Sequence, residues 1–207
     1  MKLALVITAL LLIMSGVYAY RTGVDRLMIE EPDPGKMLSR AAESIVLRPQ
    51  TRGMSSIGNH KAPIILVAYL RQDAIAERFV TEYLPRLRTE YEEEVRVYVK
   101  PHTATLPADG AAQALACCSY LPEEEYIACL EWLYAEGEEP DIRECLEAGV
   151  HPALRQTAFE VNQLGMVGMS PHIYIGVEGL TSTIISGLPK YEDLDMEIRR
   201  AQTVVGE

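Results

Sequence analysis

Positive charge is in deficit: 19 Lys and Arg face 30 Asp and Glu over 207 residues, a net charge of −11. An acidic chain repels phosphate backbones, which counts against nucleic-acid binding. Phosphate loops are absent too, because "GVEG" and "GMVG" are too short and wrongly placed. No Gly-x-Ser-x-Gly or His-Glu-x-x-His occurs, and there is no internal repeat or low-complexity tract. Cysteine is sparse, with four residues: Cys117, Cys118, Cys129 and Cys145. Neither Cys-x-x-Cys nor a His spacing suited to zinc is present, so no metal site is expected and no cofactor is implied.

What is present begins with an apolar run, "LALVITALLLIMSGVYAY", Leu3 to Tyr20. Its 18 residues would reach about 27 Å as a helix, just enough to cross a bilayer core. A cleaved signal peptide is the rival, with Lys2 as its charged start and Val17–Ala19 as a small-x-small site. The run length favours a retained anchor. Either way the rest of the chain is expected on the exported side, in periplasm or another extracytoplasmic space. Residues 1–20 therefore read as the anchor. Residues 21–54, with Pro32, Pro34 and Gly35, read as a juxtamembrane tether. Residues 55–207 read as one globular domain, and a 48% apolar composition supports a sizeable core.

In an exported chain an even cysteine count suggests disulfides. The adjacent Cys117 and Cys118 are poor partners for each other, since a vicinal bridge strains the intervening peptide. Two bridges are expected, tying Cys117 and Cys118 to Cys129 and Cys145 in either order. Each is worth about 2–4 kcal/mol. The rival is a redox relay in which the vicinal pair exchanges disulfides with a third cysteine. It is disfavoured because little basic charge sits near these thiols to activate them.

"IILVAYL" is the continuous apolar run of a central strand covered on both faces. Asp73 is a suitable N-cap for a helix from Ala74. Ile75, Phe79, Tyr83 and Leu87 would form its buried stripe, with a kink at Pro85. "VRVYV", Val95 to Val99, is a second strand, and the spacing implies a βαβ unit. Residues 109–164 look helical throughout. A strand starting at Pro171, a turn, another strand and a helix from Tyr191 to Val205 follow. That last helix would bury Leu194, Ile198, Ala201 and Val205.

The order β-α-β, helical insert, β-β-α resembles the DsbA-like branch of the thioredoxin-fold thiol-disulfide oxidoreductases. The resemblance rests on "GNHKAPIILVAY" at Gly58 to Tyr69, "RFVTEYLPRL" at Arg78 to Leu87, "LGMVGMSPHIYIG" at Leu164 to Gly176, and "LPKYEDLDMEI". It implies an α/β thioredoxin fold with a helical insertion at 109–164 and a cis-proline at Pro171. It also places the family's Cys-x-x-Cys on Asp73-Ala74-Ile75-Ala76, where both sulfur positions are lost. The expected function is therefore a redox-inactive, membrane-anchored subunit that binds partners of a membrane protein complex. The alternatives are a thiol-disulfide oxidoreductase using the remaining cysteines, or a chaperone-like binder of exported polypeptide segments. The expected docking face is the cleft remnant: Arg71, Gln72, Asp73, Ala74 and Ala76 together with Met169, Ser170, Pro171 and His172.

Overall fold

The computed structural model describes residues 48–104, 108–148, 151–166, 170–177, 180 and 182–206. The apolar run at 3–20 and most of the tether lie outside them. No helix among the described residues is long and apolar enough to cross a membrane.

A four-stranded sheet in the order β2-β1-β3-β4 organises the domain. Strand β1 is Ile64–Leu70, β2 is Val95–Pro101, β3 is His172–Val177 and β4 is Ser182–Ser186. β1 pairs parallel with β2, Ile64 opposite Val95, and antiparallel with β3, Leu66 opposite Ile175. The alternation of side chains divides each central strand between two cores. Leu66, Ala68, Val97, Val99, Ile173 and Ile175 point to the larger one, and Val67, Tyr69, Tyr98 and Tyr174 to the smaller. Both faces are covered, which is why β1 carries an unbroken apolar run.

Helix α1 is Ala74–Arg78, followed by a π-helical turn at Phe79–Tyr83 and by α2 at Leu84–Glu90. The kink expected at Pro85 takes this form. Pro85 has no N–H for the carbonyl one turn back, and the ladder slips to a longer step in which the Leu84 N–H reaches the Phe79 carbonyl. The buried stripe is Ala76, Phe79, Val80, Tyr83, Leu84 and Leu87. Ile75 was expected in it and is instead 46% exposed. The inward face of the first turn passes through Ala76, one residue on.

The insert comprises α3 (Gly110–Cys118), α4 (Glu123–Tyr134), α5 (Arg143–Glu147) and α6 (Pro152–Gln163). Its helices lie on opposite faces of the sheet. From α4, Tyr126 reaches into the larger core, where its hydroxyl donates to the Val99 carbonyl at 2.8 Å and accepts from the Val99 N–H at 3.0 Å. From α6, Val161 packs against Val67, Tyr69 and Tyr174 in the smaller core.

Helix α7, Tyr191–Val205, buries Tyr191, Leu194 and Ile198. Ala201 packs partly on the core, but Val205, expected inside, is exposed because the last turn runs past the packed residues. Ahead of β1, Ile57 bridges Val97 through both of its backbone groups. Gly58 follows at φ +88°, and a Cβ there would meet the Val95 carbonyl oxygen at 2.9 Å, so this turn requires glycine.

A charged group occupies the smaller core's edge. Lys100 Nζ lies 2.5 Å from Glu160 Oε2, and both residues are buried, at 1% and 4% exposure. The Tyr69 hydroxyl donates to the same oxygen at 2.8 Å. Gln50 is held by both partners: its N–H donates to Glu160 Oε1 at 2.8 Å and its carbonyl accepts from Lys100 at 3.0 Å. Burial pushes the Lys100 pKa down and the Glu160 carboxylate opposes that shift. Burial, reinforced by the same carboxylate, raises the Tyr69 pKa.

Candidate functional site

Two places hold chemistry. The first is the junction of β1 and α1 with the Pro171 loop. Asp73 caps α1 as expected: one carboxylate oxygen accepts from the N–H groups of Ile75 and Ala76 at 3.0 and 2.8 Å. The Ser170–Pro171 peptide is cis, as the resemblance implied. Ser170 Oγ accepts from the Arg71 N–H at 3.1 Å, which joins the two segments 99 residues apart. Gln72 is anchored to the insert through the Leu133 carbonyl at 3.2 Å.

Of the residues expected on the cleft, Arg71, Gln72, Asp73 and Ala74 are exposed and Ser170 is half-buried. Ala76, Pro171 and His172 are buried and present little surface. Met169 lies outside the described residues.

Sequence reasoning missed the floor of this junction. The His102 and His172 rings stack at 5.1 Å between centroids, 6° from parallel. Arg71 Nε donates to His102 Nδ1 at 3.0 Å, and His102 Nε2 lies 2.7 Å from the Met166 carbonyl. A guanidinium only donates and a carbonyl only accepts, so His102 carries its proton on Nε2. Burial lowers the His102 pKa. His172 is lowered to about 4 by burial, then by His102, then by Arg71. Both rings are neutral near pH 7. The arrangement offers a guanidinium hydrogen-bonded to one of two stacked neutral rings and, among the described residues, no cysteine. The signal available in sequence was "KPHT" at Lys100–Thr103, where His102 leaves β2 on the other side of β1 from the start of β3.

The second place is the insert. Cys117 bonds Cys145 and Cys118 bonds Cys129, with Cα–Cα separations of 5.9 and 6.0 Å. No free cysteine remains among the described residues. The sequence left two pairings open, and the fold selects this one. Cys118 sits on the buried face of α3 against α4, and Cys117 faces α5. The two bridges differ in access. Cys118 and Cys129 are fully buried within the larger core. Cys145 is half-buried, and with Cys117 it forms the wall of an open pocket of about 470 Å³. Asp141, Ile142, Glu144 and His151 complete much of that wall.

His151 is held on the Tyr120 ring at 4.7 Å, and its Nδ1 accepts from the Ala153 N–H at 3.2 Å at the start of α6. That bond leaves the ring proton on Nε2 in the neutral form, and burial favours the neutral form by lowering the pKa. A neutral Nε2–H is a donor, suited to a sulfur that becomes anionic when a disulfide opens. A smaller hollow of about 290 Å³, lined by Tyr83, Arg86, Lys190 and Tyr191, lies between α2 and the start of α7 and contains no sulfur.

Solved structures share this architecture. DsbA of Chlamydia trachomatis matches over 78% of this chain and 98% of its own length, at 16% identity and a TM-score of 0.56. The DsbA-like thioredoxin fold is the fold of this chain. BdbD of Bacillus subtilis, in its oxidised form, matches over 77% of this chain and 98% of its own, at 13% identity and TM-score 0.51. The thiol-disulfide exchange protein alpha-DsbA2 of Wolbachia pipientis matches over 72% and 87%, at 16% identity and TM-score 0.51. No protein-family model matches the chain, and no curated protein is similar to it in sequence.

These neighbours and the two cysteine pairs at bonding distance overturn the expectation of a redox-inactive structural or binding subunit. The loss of sulfur at Asp73 and Ala76 empties one position of the DsbA-like fold. The chain keeps two disulfides elsewhere, and one of them borders an open pocket.

Proposed function

We propose that this chain is a thiol-disulfide exchange protein whose working disulfide is Cys117–Cys145. The observation that carries the reading is the difference in access: this bridge walls an open pocket while Cys118–Cys129 is sealed. Cys145, the half-buried partner of this bridge, is the point of attack, because an incoming thiolate must reach the sulfur to displace its partner.

The step balances with a client dithiol as the reductant. A client thiolate attacks Cys145 Sγ, forming a mixed disulfide and releasing Cys117 as a thiolate. His151 lines the same pocket as the released sulfur. The client's second thiolate then attacks its own sulfur in the mixed disulfide and releases Cys145. The client gains a disulfide and this chain gains two thiols. The reverse direction reduces a client. Cys118–Cys129 is the static brace of α3 on α4.

The same reading places the domain on the exported side of a membrane, with residues 1–20 as anchor, 21–54 as tether and 55–207 as the exchange domain. Its support is the length and uniform apolarity of Leu3–Tyr20. The clients are exported polypeptides with cysteine pairs.

The test is dithiol oxidation. Oxidised protein is mixed with a peptide bearing two cysteines, and peptide disulfide is followed by chromatography. One peptide disulfide should form for each protein disulfide reduced, and none with the Cys117→Ser/Cys145→Ser variant. Equal oxidation by that variant would refute the assignment.

A further inference from the structure

The pocket that exposes Cys145 is acidic, and no cation among the described residues lines it. Asp141 and Glu144 stand in the wall with the disulfide. No ion pair among the described residues engages either one. Arg143, between them in sequence, is exposed and outside the wall, and His151 is neutral near pH 7. The surroundings extend this field. Residues 109–164 contain twelve Asp and Glu against Arg143 and Arg155 alone. Glu136, Glu138, Glu139 and Asp141 form an acidic run leading directly into the pocket. Of the twelve acids, only Glu160 has a buried cation, Lys100.

The attacking species in disulfide exchange is a thiolate. An anion entering this pocket meets like charge, which slows it unless it brings compensating positive charge. We infer that the Cys117–Cys145 pocket selects thiols carried by cationic partners, cysteines flanked by Lys or Arg in a polypeptide client, over anionic thiols. This rests on the exchange reading above and names its substrate class. The same field disfavours small acidic thiols as reductants of this bridge.

The size of the effect follows from Coulomb's law. For two acids at an illustrative separation of about 10 Å, in water-like dielectric with the weak screening of low salt, the rates of thiols differing by two charges differ by about fivefold to tenfold. Screening brings the ratio below about twofold near 0.5 M salt.

The test uses three small thiols: cysteamine as the cation, 2-mercaptoethanol as the neutral probe and 2-mercaptoethanesulfonate as the anion. Loss of the Cys117–Cys145 bond in the full chain is followed by acid quench and mass mapping. Each rate is divided by the same thiol's rate on 2-hydroxyethyl disulfide, which removes intrinsic reactivity. The expected order is cation, neutral, anion, with a spread that collapses on adding salt and in the Asp141→Asn/Glu144→Gln variant. Equal or reversed normalised rates, or a spread indifferent to salt, would overturn the charge selection while leaving exchange intact. If none of the three thiols opens this bridge, the exchange reading falls and the selection falls with it.

Discussion

Replacing Lys100 by Met tests how the smaller core and the chain ahead of β1 hold together. Lys100 and Glu160 are buried as a pair, and Glu160 has three other donors: the Tyr69 hydroxyl, the Gln50 N–H and Gln156 Nε2. Removing the ammonium leaves a carboxylate in a dry setting, a loss that in comparable pairs costs about 3–5 kcal/mol. The Gln50 carbonyl also loses its donor. With a urea slope of about 2 kcal/mol/M for a domain this size, the unfolding midpoint should fall by about 1.5–2.5 M. The double variant Lys100→Met/Glu160→Met should recover part of that loss, because it removes the unpaired buried charge while leaving the buried Tyr69 hydroxyl without its acceptor. The assay is urea unfolding followed by circular dichroism for wild type, both single variants and the double. A single-variant loss under about 1 kcal/mol, or strictly additive losses, would refute the view that the two charges depend on each other.

Three more outcomes follow from the described contacts. Acid should weaken the fold through His172: its folded pKa near 4 lies below the ordinary value of 6.5, so the unfolded chain binds more protons between them. Stability should then fall as pH drops from about 6.5 to about 4, and His172→Gln, read by urea midpoints at both pH values, should flatten that slope. Asp73→Ala removes the cap of α1 and should cost about 1 kcal/mol in urea unfolding. Replacing Cys118 and Cys129 by Ala opens a bridge across 11 residues and should cost about 3 kcal/mol, seen as a lower thermal midpoint, with dithiol oxidation still present.

Much of the scaffold is legible in the sequence because it depends on near neighbours. The strand run Ile64–Leu70 and the Asp73 cap each follow from a few adjacent residues. The features that escaped depend on distant partners. Glu160 reads as an ordinary polar position of an amphipathic helix until the fold sets it under Lys100, 60 residues away. The His102–His172 stack forms only because β3 runs beside β1 and brings residue 172 opposite Tyr69. Which of the two disulfides is reachable was not legible in the sequence. Access is a property of packing: Cys117 and Cys118 are adjacent, yet one borders a pocket and the other is sealed.

The account turns on which bridge reacts, and mass mapping after brief treatment of the native protein with a dithiol peptide reads this directly. Free thiols are alkylated under acid quench and assigned by residue. The account predicts label on Cys117 and Cys145, a trapped peptide adduct on Cys145, and an intact Cys118–Cys129 bond. Label first on Cys118 and Cys129, or no label on any cysteine while the peptide dithiol is present in excess, would contradict it.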